Sequence, residues 1–157
     1  FGAGTGLLAA AIAPHVAHVT ALDTSANMLE VLAEKGHANI ETRVGDVFEG
    51  LPERHDLVVS CMAMHHVQDT AGLLQAFAGA LKPQGRIALI DLYAEDGTFH
   101  GNENEVKGVK HFGFAPDALT ALAQAAGFQD VSFQEIAHIQ RDNGRSYPLF
   151  LMRAHLA

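Results

Sequence analysis

The chain opens Phe-Gly-Ala-Gly-Thr-Gly (1–6) and runs directly into Leu-Leu-Ala-Ala-Ala-Ile-Ala (7–13), a stretch rich in helix formers. Glycine at every second position frees the backbone for positive φ and removes the Cβ atoms that would hold a ligand away. At the start of a helix, such a turn also offers unpaired N–H groups and the positive end of the helix dipole. Turns of this kind join a strand to a helix, which commits the surrounding chain to strand–helix alternation about a parallel sheet. The spacing is G-x-G-x-G, at Gly2, Gly4 and Gly6. The dinucleotide fingerprint G-x-G-x-x-G would need glycine where this chain has Leu7. No strand precedes the turn within the sequence. That strand is central in a doubly wound sheet, so we expect it to lie outside the chain, with 1–157 an N-terminally incomplete single domain.

The alternation continues. The first helix stops at Pro14, and His18–Asp23 reads as a short β-branched strand ending on an acid. Ser25 caps the next helix, whose apolar residues Met28, Leu29, Val31 and Leu32 recur at helical spacing up to Gly36. Strands are expected at 40–46, 56–61 and 86–92. A helix marked by Leu73, Leu74, Phe77 and Leu81 and a turn at Lys82–Gly85 separate the last two. A helix follows Pro116 and ends at Gly127. Residues 131–139 and 147–156 then flank Asn143-Gly144, read as a tight hairpin turn with both residues at positive φ. Between 93 and 114 the chain is polar and aperiodic, a long loop of the kind that usually carries function.

Composition narrows the function classes. A net charge of -8 repels phosphate backbones, and the basic residues form no stripe, so no nucleic-acid partner is expected. No apolar run is long enough to span a membrane. The single cysteine, Cys61, cannot form an internal disulfide or a Cys-rich zinc site, and it fits a reducing cytoplasmic setting.

Acids mark the ends of successive strands. Asp23 can accept hydrogen bonds from both hydroxyls of a ribose, or it can cap the helix behind it. Asp46, in Gly45-Asp46-Val47, can accept an exocyclic amine of adenine. Open α/β sheets bind ligands along this edge. In order, FGAGTG, ALDTSANML, VGDVFEGLP, DLVVSCMAMHHVQD and LKPQGRIALIDL resemble the motifs of class I S-adenosylmethionine-dependent methyltransferases over nearly the whole chain. The resemblance implies a Rossmann-like, doubly wound, mostly parallel seven-stranded sheet with a C-terminal antiparallel hairpin. It also implies S-adenosyl-L-methionine as cofactor and S-adenosyl-L-homocysteine as product. By the same resemblance, Gly2, Ala3, Gly4 and Gly6 pass the methionine portion and Asp23 holds the ribose. Thr24 and Met28 border the adenosine, Gly45, Asp46 and Val47 hold the adenine, and Ser60 and Cys61 lie beside the sulfonium.

Methyl transfer needs alignment, exclusion of water and, for some acceptors, a base. His65 and His66 follow the third visible strand; His65 is taken as the more accessible and the candidate base, His66 as an acceptor-lining residue. No metal is expected, because the pair has no ligand set at matching spacing. The loop 93–114 should cover the acceptor, offering Tyr93, Glu95, Asp96, His100, Glu103, His111 and Phe112, with Tyr93, Phe112 and Phe114 as an apolar wall. The slot Ser60–His66 lacks the N/D-P-P-Y/F sequence of adenine- and glutamine-modifying relatives. With the acidic charge, this favours a small-molecule acceptor. The alternatives are a non-catalytic cofactor-binding module and, further off, an NAD(P)-dependent oxidoreductase.

Overall fold

The structure, a computed structural model, describes residues 1–102 and 106–157, so Glu103 of the loop lies outside the described residues. These divide into two compact units, Phe1–Leu51 and Pro52–Ala157.

In the first unit, α1 (Leu7–Ile12) follows the glycine turn and tightens into a 3-10 turn at Ala13–His15, where Pro14 cannot continue the helix. β1 (Val19–Asp23) and β2 (Ile40–Val44) pair in parallel, with Asp23 opposite Val44. Between them runs α2 (Ala26–Glu34), capped by Ser25, whose Oγ accepts the Met28 N–H at 3.4 Å. Ala9, Ala21, Leu29 and Leu32 form the core, with Ala3, Val19 and Ile40 packed on it.

In the second unit, β3 (His55–Cys61) leads through a 3-10 turn at Met64–His66 into α3 (Thr70–Ala80). β4 (Leu81–Leu92), α4 (Pro116–Ala125), β5 (Phe128–Gln140) and β6 (Ser146–Leu156) follow. Leu73, Leu74 and Phe77 of α3 are wholly buried, as their spacing predicts; Leu81, expected on the same helix face, is buried too but opens β4, because the helix ends at Ala80. The turn expected at Lys82–Gly85 is present as an interruption of β4. The pairing with β3 skips from Leu81 to Arg86, and Gln84 sits at φ 61°.

The sheet order is β3-β4-β6-β5. β3 and β4 are parallel, whereas β6 runs antiparallel to both β4 and β5. Among the described residues there are therefore six strands in two sheets, and parallel pairings equal antiparallel ones in number. The C-terminal hairpin supplies half of the larger sheet, because β6 inserts beside β4 instead of trailing at an edge.

The hairpin turn departs from its expected form. Gly144 alone takes positive φ (78°); its N–H donates to Arg141 O, and the Arg141 N–H donates to Arg145 O. This is the longer connection with glycine in the left-handed position. It leaves the Asn143 side chain free for other bonds. Among the described residues, no helix is long and apolar enough to cross a membrane.

Candidate functional site

In the first unit, β1 and β2 release their chains at one sheet edge, and the glycine turn is fastened there. The Ala3 N–H donates to Leu22 O at 3.0 Å, and the Gly4 N–H to Asp23 Oδ2 at 2.8 Å. Gly2, Gly4 and Gly6 take φ of 65°, 54° and 85°, which explains the alternate glycines. Gly6 is buried, and the Leu32 side chain fills the place where its Cβ would stand. At Gly4 a Cβ would meet nothing nearer than Met28 Sδ at 3.8 Å, so this backbone is open to a ligand.

Asp23 holds the turn as well as facing it. Its Oδ1 accepts the Ser25 N–H at 2.9 Å, Oδ2 accepts that of Gly4, and its carbonyl oxygen accepts the Gly45 N–H at 3.0 Å. The helix cap is Ser25. Each carboxylate oxygen of Asp23 keeps acceptor capacity for a ligand hydroxyl. Thr24, Met28 and Asp46 are exposed around it. Asp46 Oδ1 accepts the Phe48 N–H at 3.0 Å, and Val47 is buried.

In the second unit, Ser60 and Cys61 close β3. Ser60 is fully buried, and its Oγ has no hydrogen-bond partner among the described residues. Cys61 is half-buried. Burial, and then the nearby Asp91 carboxylate, push its thiol up, so it stays protonated and is a poor nucleophile. Met62 turns the chain at φ 56°, a costly conformation for a non-glycine residue, with its N–H donating to Ile90 O at 2.9 Å.

The two histidines trade the exposures expected of them. His65 is 2% exposed and His66 is exposed. The cause is Asp91, itself wholly buried: its Oδ2 accepts the His65 N–H at 3.1 Å and its Oδ1 accepts His65 Nδ1–H at 2.8 Å. A third bond, from the Leu92 N–H at 2.8 Å, completes the carboxylate's shell. His66 Nδ1 lies 3.1 Å from Gly108 O; a carbonyl only accepts, so Nδ1 carries a proton there.

The loop residues divide by role. His111 is a fastener: Nε2 donates to Val67 O at 2.9 Å, while the Lys110 and His111 N–H groups donate to His65 O. Tyr93 and Phe114 pack against Phe150, with Phe114 buried, and Phe112 stands exposed. Of the expected aromatic wall, Phe114 belongs to the core, Tyr93 is half-buried and Phe112 is exposed. His100 lies beside the two histidines, its ring centroid 5.4 Å from that of His65 and 6.4 Å from that of His66. Burial first, then His65 and His66, hold its pKa down, so its ring is neutral at neutral pH.

Two residues that matter here have no such role in the sequence pattern alone. Asp91 sits inside the apolar run Ile-Ala-Leu-Ile-Asp-Leu, and an acid within a buried strand is itself a signal, because it requires partners. Glu95 stands in sequence as one polar residue of an aperiodic loop. Its Oε2 accepts the N–H groups of Gly97, Thr98 and Phe99 and so shapes the loop.

A glycine turn and acids at the C-terminal ends of parallel strands, and a sheet finished by an antiparallel hairpin, define a Rossmann-like α/β protein. Solved structures agree. The YcgJ protein of Bacillus subtilis superposes with a TM-score of 0.74 at 21% identity, covering 99% of this chain and 89% of that one. Phosphoethanolamine N-methyltransferase 2 of Haemonchus contortus, solved with S-adenosyl-L-methionine, gives 0.77 at 20% identity, covering 99% of this chain and 47% of that one. The family described as "Methyltransferase domain" matches residues 1–89, more than half of the sequence, and the chain belongs to that family. An uncharacterized methyltransferase of Schizosaccharomyces pombe is 29% identical over 148 residues, covering 83% of this chain and 52% of its own length. The chain thus spans about half the length of that relative.

Proposed function

We propose that the chain binds S-adenosyl-L-methionine along the strand ends of its first unit and transfers the methyl group to a small-molecule acceptor. The observation that carries this is Asp23. Its carboxylate fastens the open glycine turn through Gly4 and keeps acceptor capacity for a ribose. The residues fit the group: Gly2, Ala3, Gly4 and Gly6 form its close-approach backbone, with Thr24 and Met28 bordering the nucleoside. Gly45, Asp46 and Val47 take the adenine, and Ser60 and Cys61 take the sulfonium side. When bound, the cofactor supplies an electrophilic methyl carbon. The chain's own residues hold the acceptor, exclude water and take its proton. The family match runs unbroken across residues 51 and 52, which supports one methyltransferase domain with the family's doubly wound, mostly parallel seven-stranded sheet. The acidic charge supports a small acceptor over nucleic acid.

Calorimetric titration with S-adenosyl-L-methionine and S-adenosyl-L-homocysteine tests the reading. Binding of both is expected, weakened by about 1–3 kcal/mol in Asp23→Ala through lost charge-assisted bonds. No heat with either ligand, beside clear binding of NADH, overturns it.

A further inference from the structure

The loop segment 95–100 is fixed more firmly than a mobile cover needs to be. Phe99 is buried in a cluster with Leu92, Tyr147 and Leu149. Thr98 Oγ shares a hydrogen bond with Tyr147 Oη at 2.7 Å, and Asn143 Nδ2 donates to both Tyr147 Oη and Thr98 O. Arg145 Nη1 grips the Asp96 carboxylate at 2.8 and 3.0 Å. The hairpin turn therefore clamps this segment in place and fixes Glu95 and His100.

Both of those side chains carry a buried polar atom with no partner among the described residues, Glu95 Oε1 and His100 Nδ1. The two are neighbours, since Glu95 Oε2 accepts the Phe99 N–H at 3.2 Å. A buried polar atom without a partner costs free energy that a ligand can recover. The charged and titratable groups acting on His100 are His65, His66, Glu95 and Arg141, the last 5.0 Å over the Phe99 ring. One carboxylate and one guanidinium offset each other, so this pair of atoms does not call for a cation. It calls for a neutral group that donates to Glu95 Oε1 while meeting His100 Nδ1, and a hydroxyl does this.

We propose that Glu95 and His100 form the acceptor subsite, and that they select a hydroxyl-bearing acceptor for O-methylation. The inference rests on the methyl-transfer reading above. The acceptor's O–H bond breaks and its proton passes to Glu95 Oε1, to which the hydroxyl donates, while His100 Nδ1–H holds the oxygen in line. The oxygen forms a bond to the methyl carbon as the carbon–sulfur bond breaks, and that electron pair returns to sulfur, turning the sulfonium into a thioether. His65, held by Asp91, backs the His100 ring as a positioning residue.

The test first measures cofactor affinity by calorimetry. It then follows transfer of labelled methyl to phenol, cyclohexanol, benzylamine and thiophenol, and records the His100 imidazole signals by NMR as phenol is added to the S-adenosyl-L-homocysteine-loaded chain. Transfer to the hydroxyl compounds and a phenol-dependent shift of His100 are expected. Glu95→Gln keeps an oxygen for the loop N–H groups and places a donor where Oε1 stood. It should slow transfer at least about tenfold and abolish the shift, with cofactor affinity unchanged. His100→Ala removes the group that holds the oxygen and should slow transfer likewise. Transfer to the amine or thiol in preference, or none to the hydroxyl compounds by a chain that binds cofactor, overturns the proposal. So does unchanged transfer in both variants. Failure to bind cofactor at all sinks the methyl-transfer reading instead.

Discussion

Replacing Asp91 by asparagine tests the buried histidine–aspartate pair. The carboxylate accepts three bonds, from His65 Nδ1, His65 N–H and Leu92 N–H, in a site with no solvent access. Asparagine is isosteric, but only one of its two terminal atoms accepts. If its oxygen keeps the His65 ring and the Leu92 N–H, its amide faces the His65 N–H, donor against donor. One buried donor is then orphaned, at about 1–3 kcal/mol, and the two surviving bonds lose their charge assistance, about 1 kcal/mol together. Relief from burying a charge offsets part of this, so a net loss of about 2–3 kcal/mol is expected. For a chain of this size that lowers Tm by about 4–12 °C. Urea unfolding followed by circular dichroism reads the stability, and Asp91→Leu, which strands all three donors, should be worse still. A change below about 0.5 kcal/mol for Asp91→Asn, or a Leu variant as stable as the native chain, would refute the reasoning.

Gly6→Ala should cost about 2–4 kcal/mol in a thermal melt, because φ is 85° and the new methyl enters the space of buried Leu32. Asp96 is held at about 2, mainly by the Thr98 hydroxyl and then by Arg145. A depressed carboxyl adds stability above the ordinary pKa near 3.8 and loses it as pH falls through about 2. NMR titration should therefore find the Asp96 midpoint rising toward the ordinary value in Arg145→Ala. His155 is raised, first by the Leu156 carbonyl and then by Asp130. Its contribution is full below 6.5 and disappears as pH climbs through the raised value; in Asp130→Asn its NMR midpoint should fall.

Local chemistry made much of this protein readable from its sequence. Alternate glycines before an Ala-rich helix required positive φ, and Gly2, Gly4 and Gly6 have it. Of the residues read as helical stripes, Leu29, Leu32, Leu73, Leu74 and Phe77 are buried, because helical period and core contact are the same constraint, whereas Met28 and Val31, counted with the first stripe, are exposed. Ser25 caps its helix, and the strand ends bring Asp23 and Gly45 together, since parallel neighbours must finish at one edge. The tertiary structure alone decided which of two adjacent histidines is accessible. Neighbouring residues in a tight turn point in different directions, and the choice fell to Asp91, 26 residues away in sequence. It alone decided that β6 lies between β4 and β5, and that Asn143 clamps the loop instead of taking the left-handed position. Burial and hydrogen-bond partnership across long sequence separations have no period and no spacing; they exist only once the strands have packed.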